Sequence, residues 1–303
     1  ILCQRVFPGL LRNPSIRWEA LRKLAGFGGW VMATSVTIPV LMYLERALIT
    51  SMVSVGALTF YNVPYEMLSR LAFFPASLAL TLFPAFSYAQ AHGSAWLAEL
   101  IARPVKYTVL LVTPVLLFIA VFAADLLELW FDAGFAAQSA KTLQILTGVF
   151  FVNAFAQIPF AAVQGLGRPD LKVKLDLIEI PLFALLCWML IPGGGIVGAA
   201  WAKFGVALID AVGLFWLAHR VGGVGTRDVW RRDVRAAFVV AGLFVAFAAL
   251  GTSLTDSLVT MLGIFTLGAA LFALAFWRWA TDERDRLALA RFVERVRPAV
   301  PGR

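Results

Sequence analysis

Four ionisable side chains lie within stretches that are otherwise apolar, and they are the residues of this sequence best placed to do chemistry. Glu66 and Arg70 fall in one such stretch, and Lys203 and Asp210 fall in another. A charge inside a hydrocarbon layer costs about 2.5–3.5 kcal/mol on insertion scales, so such residues usually face a cavity or a partner. The chemistry they offer is the binding of an anionic group by Arg70 and Lys203. Glu66 and Asp210 are candidates for ion coupling or for balancing those charges.

The spacing within each pair leaves alternatives open. Glu66 and Arg70 are four residues apart on one face of a helix, where they form either an intrahelical ion pair or a polar site that faces a lumen. Lys203 and Asp210 lie on nearly the same face, about 10 Å apart along the helix axis, which is too far for a direct pair. We therefore expect Glu66 to be the partner of Lys203. For Asp210 we expect either a cytoplasmic cation or water at the cytoplasmic interface.

Two further pairs of residues have simpler explanations. Glu45 and Arg46 come at the end of an apolar stretch, where a solvated pair is expected, although they are also candidates for an outward-facing gate. Asp176 and Glu179 open another stretch, and acidic residues in the first turn of a helix suit its dipole. We therefore expect a structural role for Asp176 and Glu179.

Patterns typical of enzymes and metal sites are missing from the sequence. Cys3 and Cys187 form no CxxC pair, and His92 and His219 are far apart, so neither a disulfide framework nor a metal site is predicted. No GxSxG, HExxH, Walker or aspartate-rich motif occurs. We expect no metal, no cofactor and no enzymatic activity.

The composition indicates which elements must position these residues. Of the 303 residues, 61% are hydrophobic and 15% are charged, whereas about 25% of the residues of a soluble domain are charged. A helix needs about 20 apolar residues to cross a hydrocarbon core. Eight stretches are long enough on this scale: 24–44, 56–83, 107–124, 143–163, 175–191, 197–217, 236–254 and 258–276. The sequence thus predicts an all-α polytopic membrane helix bundle of about eight transmembrane helices.

The distribution of positive charge predicts the orientation of this bundle. The net charge is +8, and 22 of the 26 Lys and Arg residues lie in the two ends and in alternate connections between the predicted helices. Loops rich in Lys and Arg stay in the cytoplasm. We therefore expect a multi-pass protein of the bacterial cytoplasmic membrane with both ends of this chain inside. This topology explains the charge without a nucleic acid partner. For the tail at 281–297 we expect either a helix on anionic lipid or a solvated helix.

The same pattern divides the chain into five parts. We predict a cytoplasmic linker at 1–23, a six-helix transmembrane lobe at 24–217, a cytoplasmic basic loop at 218–235, an additional two-helix unit at 236–276 and a cytoplasmic basic tail at 277–303. The first residue is Ile1 rather than Met. We therefore expect a fragment that lacks its upstream half.

Several short motifs occur in an order that is found in a known family. They are Gly26-Phe-Gly-Gly-Trp30, Tyr61-Asn-Val-Pro-Tyr65 followed by Arg70, Phe74-Pro-Ala76, Leu82-Phe-Pro-Ala-Phe86, Gln164-Gly-Leu-Gly-Arg-Pro-Asp170 and Gly195-Ile-Val-Gly-Ala-Ala-Trp201. With these motifs, the sequence over 22–220 resembles the polysaccharide flippases of the multidrug/oligosaccharidyl-lipid/polysaccharide exporter superfamily.

The resemblance implies a fold, partners and a function. The family fold has two six-helix lobes around a central cavity, sometimes with two more helices. This chain would supply the second lobe of such a fold, like that of multidrug and toxin extrusion (MATE) carriers, plus the extra pair. Its partners would be the missing N-terminal lobe, membrane lipid and a lipid-linked oligosaccharide. The implied function is to flip an undecaprenyl-pyrophosphate-linked oligosaccharide across the membrane for polysaccharide biosynthesis and export.

Two other functions remain open. A cation-coupled multidrug extrusion antiporter of the same superfamily would favour an acidic, aromatic cavity over Arg70 and Lys203. A membrane-embedded transferase for lipid-linked sugars would need a catalytic carboxylate or base cluster at one interface, and the sequence indicates no such cluster.

Overall fold

The chain folds into helices joined by short turns. A computed structural model describes residues 18–254 and 257–281, and nearly all of these residues are helical, with no β-strand in the described ranges. The α-helices are α1 (Trp18–Met52), α2 (Val55–Ser69), α3 (Phe73–His92), α4 (Ser94–Val121), α5 (Ala123–Trp130), α6 (Ala133–Gly165), α7 (Pro169–Gly222), α8 (Thr226–Val229), α9 (Arg232–Leu254) and α10 (Leu258–Trp279).

Seven helical segments of the described chain are long and apolar enough to cross a membrane. They are Leu24–Met52, Val55–Tyr88, Ser94–Val121, Ala133–Gly165, Pro169–Gly222, Arg232–Gly251 and Leu258–Trp279. The prediction of an all-α polytopic membrane bundle is therefore confirmed. The fifth of these segments, α7, has 54 residues, whereas about 20 suffice for one crossing. It contains two of the predicted stretches, which is why eight predicted stretches correspond to seven segments.

The two halves of α7 are separated by a bend at Gly195. The backbone there has φ 55° and ψ −134°, a conformation that glycine adopts far more easily than other residues. Residues 169–194 and 196–222 form two antiparallel arms, which we call α7a and α7b. The arms approach closely just beyond the bend, where a side chain at Gly198 would overlap the carbonyl oxygen of Leu190.

The second predicted stretch, 56–83, is interrupted in the middle. α2 begins after Ser54, whose hydroxyl oxygen accepts a hydrogen bond from the amide of Ala57 at 3.0 Å, a standard N-cap. It ends at Ser69 and is followed by a 3-10 turn over Arg70–Ala72, after which α3 begins. Side chains on either side of this turn therefore do not follow a single α-helical register.

α6 is the central helix of the bundle. It packs against α2, α3, α4, α5 and α7, and its buried face includes Leu143, Leu146, Val149 and Ile158. α1 packs mainly against α7 and leaves much of its surface exposed. A cavity lies where these helices diverge.

The last two membrane-spanning helices form a pair at the side of α4. α9 packs against both α4 and α10, and Phe244 of α9 packs against Phe265 and Phe272 of α10. Lys106 of α4 and Asp233 of α9 form a buried ion pair, with 3.3 Å between Nζ and Oδ2. This ion pair links α9 directly to α4.

The predicted division into five parts remains a prediction. α1 begins at Trp18, so the last residues of the predicted linker are helical. Residues 1–17 and the predicted tail beyond residue 281 lie outside the described residues.

Candidate functional site

The bundle contains a partly open cavity of about 600 Å³. Its walls come from α1, α2, α3, α4, α6 and both arms of α7, and most of the lining side chains are apolar or aromatic. The ionisable lining residues are Lys172, Asp176, Glu179, Lys203 and Asp210. All five belong to α7, so the folded-back hairpin determines where charge lies in the cavity.

One group of charges surrounds the ammonium group of Lys172. Its Nζ lies 2.6 Å from Oδ1 of Asp176, 2.6 Å from Oδ1 of Asp210 and 3.9 Å from Oε2 of Glu179. Lys172, Asp176 and Glu179 belong to α7a, whereas Asp210 comes from α7b. We call these four residues the Lys172 cluster, in which three carboxylates share one cation.

The carboxylates of the Lys172 cluster differ in their remaining contacts. The hydroxyl of Thr37 on α1 donates a hydrogen bond to Oδ2 of Asp176 at 2.8 Å. Oε1 of Glu179 is buried and has no hydrogen-bond partner among the described residues. One oxygen from each of Asp176, Glu179 and Asp210 lies within 4.8 Å of the other two. Such crowding of like charges favours the binding of a further cation.

That further cation can be a proton or a metal ion. Carboxylate oxygens are ligands for hard metal ions. The ammonium of Lys172 already holds two of the three carboxylates at 2.6 Å, so a metal ion between them would have to displace it. A proton on one carboxyl group requires no such displacement.

A second group of charges centres on Glu45 of α1. Glu45 is buried, pairs with the ammonium of Lys203 on α7b and accepts a hydrogen bond from the hydroxyl of Tyr61 on α2. Nζ of Lys203 also lies 4.6 Å from the ring centre of Tyr65, a cation–π contact. We call Glu45, Tyr61, Tyr65 and Lys203 the Glu45 cluster. It joins three helices, and both Tyr65 and Lys203 line the cavity.

Lys203 and Asp210, singled out from the sequence, both line the cavity. Asp210 pairs with Lys172, which belongs to a predicted cytoplasmic connection. This agrees with the first of the two partners expected for Asp210, a cytoplasmic cation rather than water. The expected pair of Lys203 with Glu66 is wrong, because Lys203 pairs with Glu45. Glu66 lies on the exposed side of α2, and its side chain is 56% exposed.

The other four predicted residues, Glu45, Arg46, Glu66 and Arg70, lie outside the cavity lining. Arg46 pairs with Glu66, with 3.4 Å between Nη2 and Oε1, rather than with its neighbour Glu45. Arg70 is exposed and forms no ion pair with the part of the chain that the structure describes. The alternative intrahelical pair of Glu66 and Arg70 is not formed, and Glu66 pairs with Arg46 instead. The functional roles of Arg70, Glu66 and the Glu45–Arg46 gate remain predictions.

The helix-dipole explanation for Asp176 and Glu179 is wrong. α7 begins at Pro169, so the acidic residue of its first turn is Asp170, and Asp176 and Glu179 lie further along the helix. A signal for their real position was present in the sequence. Lys172, Asp176 and Glu179 follow the spacing i, i+4 and i+7, which places a cation and two acids on one helical face.

Known proteins of similar sequence include carriers of glycans. Residues 11–138 match a family described as "Polysaccharide biosynthesis protein". The chain is 26% identical over 207 residues to a putative O-antigen transporter from Shigella flexneri, an alignment that covers 68% of this chain and 49% of that protein. It is 25% identical over 210 residues to a probable low-salt glycan biosynthesis flippase from Haloferax volcanii, covering 69% and 43%. The resemblance to polysaccharide flippases is confirmed.

The chain also matches a protein without an assigned role. It is 28% identical over 204 residues to an uncharacterized membrane protein of Methanocaldococcus jannaschii, covering 66% of this chain and 40% of that protein. The chain thus spans half or less of the length of these curated relatives.

Proposed function

We propose that this chain is part of a flippase that moves an undecaprenyl-pyrophosphate-linked oligosaccharide from the cytoplasmic to the outer leaflet of the bacterial cytoplasmic membrane. The observation that carries the proposal is a cavity within a membrane bundle that combines a largely apolar wall with two clusters of paired charges. The cargo has a polar glycan, an anionic pyrophosphate and a long apolar tail. Its head needs polar partners inside the membrane, whereas its tail does not.

The rim of the cavity suits the apolar tail. Leu71 and Phe74 on one side and Leu111 and Val115 of α4 on the other line the cavity and are also exposed. An apolar rim at membrane depth allows the tail to stay in lipid while the head occupies the cavity.

Lys203 is the residue that we assign to the pyrophosphate. Glu45 neutralises Lys203 in the structure, so the cargo would exchange with Glu45 as its anionic partner. Such an exchange keeps the lysine paired throughout, while Glu45 retains the hydrogen bond from the hydroxyl of Tyr61. Arg70, which precedes the cavity-lining Leu71, is the second cation that we assign to the cargo.

The Lys172 cluster is the part to which we assign coupling to a cation gradient. Its three carboxylates share one ammonium, and uptake of a proton or a metal ion weakens their attraction for Lys172. Asp210 then loosens from α7a, because its contact with Lys172 joins the two arms. Glu66 neutralises the positive charge of Arg46. We also propose Glu45 and Arg46 as residues of an outer gate.

Reconstitution tests the proposed function. The purified protein is placed in proteoliposomes with undecaprenyl-pyrophosphate-linked oligosaccharide, and the glycan that becomes accessible to an external glycosidase is followed over time. We expect Lys203→Met to lower the initial rate about tenfold, the effect of losing one charge-assisted contact. Lys174→Met is the matched control, because Lys174 is exposed and pairs with Asp170 away from the cavity lining. Equal rates for Lys203→Met and the wild type would overturn the assignment.

A cation-coupled multidrug extrusion antiporter is the second candidate. The favouring observation is that three carboxylates and two ammonium groups line the cavity beside aromatic rings such as those of Tyr65, Phe150 and Phe160. A slightly acidic, aromatic cavity is what such a carrier requires. Gradient-driven efflux of ethidium from the same proteoliposomes, without flipping of the lipid-linked glycan, would favour the antiporter.

We further propose that the chain transports its cargo without converting it chemically. The relatives named as a transporter and a flippase support this proposal. We place both ends of the chain in the cytoplasm and the bend at Gly195 on the outer side, as the positive charges indicate. An additional N-terminal lobe, in a MATE-like arrangement, would complete the cavity next to the exposed surface of α1.

A further inference from the structure

The wall of the cavity formed by α6 carries two amide side chains. Asn153 and Gln157 lie four residues apart among apolar neighbours, and both line the cavity. Neither forms a hydrogen bond with another residue in the part of the chain that the structure describes. Each carboxamide has two N–H donors and one carbonyl acceptor, and this capacity is free for a molecule inside the cavity.

The two amides belong to a stripe with an aromatic ring at each end. Phe150, Asn153, Gln157 and Phe160 all line the cavity, and their spacing of i, i+3, i+7 and i+10 places them on one helical face. The stripe is about 15 Å long at 1.5 Å per residue. The ring of Tyr65 lies against one end of it, 5.5 Å from the ring of Phe150 between centres.

The charged residues of the cavity are occupied with one another. Lys172 and Lys203 both form ion pairs with carboxylates. The uncharged polar side chains of the lining are Tyr65, Asn153 and Gln157, and the hydroxyl of Tyr65 also lacks a hydrogen-bond partner within the described chain. Polar groups at membrane depth are costly unless they are satisfied. Since the described part of the chain does not satisfy these amides, they are available to a molecule that enters the cavity.

We propose that this stripe is a binding subsite for uncharged sugar residues of the cargo, an inference that rests on the proposed function. Sugar hydroxyls both donate and accept hydrogen bonds, as carboxamides do, and the C–H faces of sugar rings pack on aromatic rings. Neutral amides give an anionic group no charge compensation, so the pyrophosphate belongs at the lysines. The cavity volume of about 600 Å³ lies within the range of ligand pockets, so the subsite takes a few sugar units rather than a whole glycan.

Saturation-transfer NMR tests the subsite directly. The purified protein in nanodiscs is mixed in turn with glucose, galactose, rhamnose, N-acetylglucosamine and inorganic pyrophosphate. We expect transfer to at least one neutral sugar, and no loss of that signal when pyrophosphate is added. In the double variant Asn153→Leu/Gln157→Met the signal should fall about tenfold, because two hydrogen-bonding groups are removed at nearly constant volume. The single variant Gln157→Met should give a smaller loss and provides the same test if the double variant does not fold.

Gln138→Met is the matched control. Gln138 lies on the same helix, is exposed and does not line the cavity, so its replacement should leave the sugar signal unchanged. The subsite is overturned if no sugar gives a signal with the wild type. It is also overturned if the amide variants keep the full signal, in which case the amides only hold water.

The flipping assay separates this inference from the proposed function. If Lys203→Met stops flipping while the double amide variant flips and binds sugar normally, the flippase assignment stands and the subsite falls. If sugar binding depends on the amides but the wild type flips no lipid-linked glycan, the subsite stands and the flippase assignment falls.

Discussion

Lys172 and Asp210 are 38 residues apart in the chain, yet Nζ of the first lies 2.6 Å from Oδ1 of the second. The bend at Gly195 brings them together by reversing the direction of α7. The same ammonium holds Asp176 at 2.6 Å. The charge balance of the cavity therefore depends on the register between the two arms of one hairpin.

Lys172→Met should destabilise the protein by about 3–5 kcal/mol, because it leaves buried carboxylates without their cation. Lys174→Met should change stability by less than about 1 kcal/mol, since the side chain of Lys174 is exposed and surface ion pairs contribute little. Unfolding by increasing fractions of SDS in mixed micelles measures both variants. Similar losses of stability in the two variants would show that the Lys172 cluster does not hold the hairpin together.

Gly195→Ala should destabilise the hairpin by about 1–3 kcal/mol, because φ 55° with ψ −134° is a backbone conformation that residues with a side chain rarely adopt. Gly194→Ala is the matched control, since neither glycine has an atom within 4 Å of an added side-chain carbon and only Gly195 has a positive φ. The same SDS titration compares them. If both alanines are tolerated equally, the bend does not require glycine.

Tyr61→Phe should cost about 1.5–3 kcal/mol, the range for a lost hydrogen bond to a charged group, since the buried Glu45 loses its hydroxyl donor. Tyr65→Phe keeps the ring that faces Lys203 and removes a hydroxyl without a partner in the described chain, so stability should hardly change. Thermal unfolding in detergent, followed by circular dichroism, compares the two. The reverse order of stability would refute the described Glu45 cluster.

Lys106→Met should weaken the attachment of the α9–α10 pair, because Asp233 loses its buried cation and keeps only the longer contact with Nε of Arg231, at 3.6 Å. Arg103→Met removes a partly exposed ion pair with Glu99 one turn earlier on α4 and should have a small effect. Hydrogen exchange of the α9 amides is the measurement, and we expect faster exchange in Lys106→Met alone. Unchanged exchange in that variant would mean that aromatic packing is sufficient to hold α9.

The membrane-spanning helices could be predicted because hydropathy is a local property of the sequence. Contacts between distant residues could not be predicted in the same way. Glu45 and Lys203 are 158 residues apart, and nothing in the sequence near either one identifies the other. The sequence predicts Glu66 as the partner of Lys203, because both charges lie within apolar stretches. The buried face of α2 instead carries Tyr61 and Leu68, which turns Glu66 to the exposed side.

The Lys172 cluster could not be predicted from hydropathy either. Lys172 and Lys174 lower the local hydropathy, so the fifth predicted stretch begins at residue 175, although α7 begins at Pro169. Residues near a predicted helix end are expected to be solvated. Lys172 and Asp176 are buried because the charges of the cluster satisfy one another across the hairpin, which depends on tertiary structure.

The position of α7b has a consequence for how the cavity can change. This arm carries Lys203, which pairs with α1, and Asp210, which pairs with α7a. The two residues lie on one face of a single helix, two turns apart. A rigid shift of α7b along its axis therefore alters both ion pairs in the same step. A ligand that shifted α7b at one charged cluster would therefore also change the ion pair at the other.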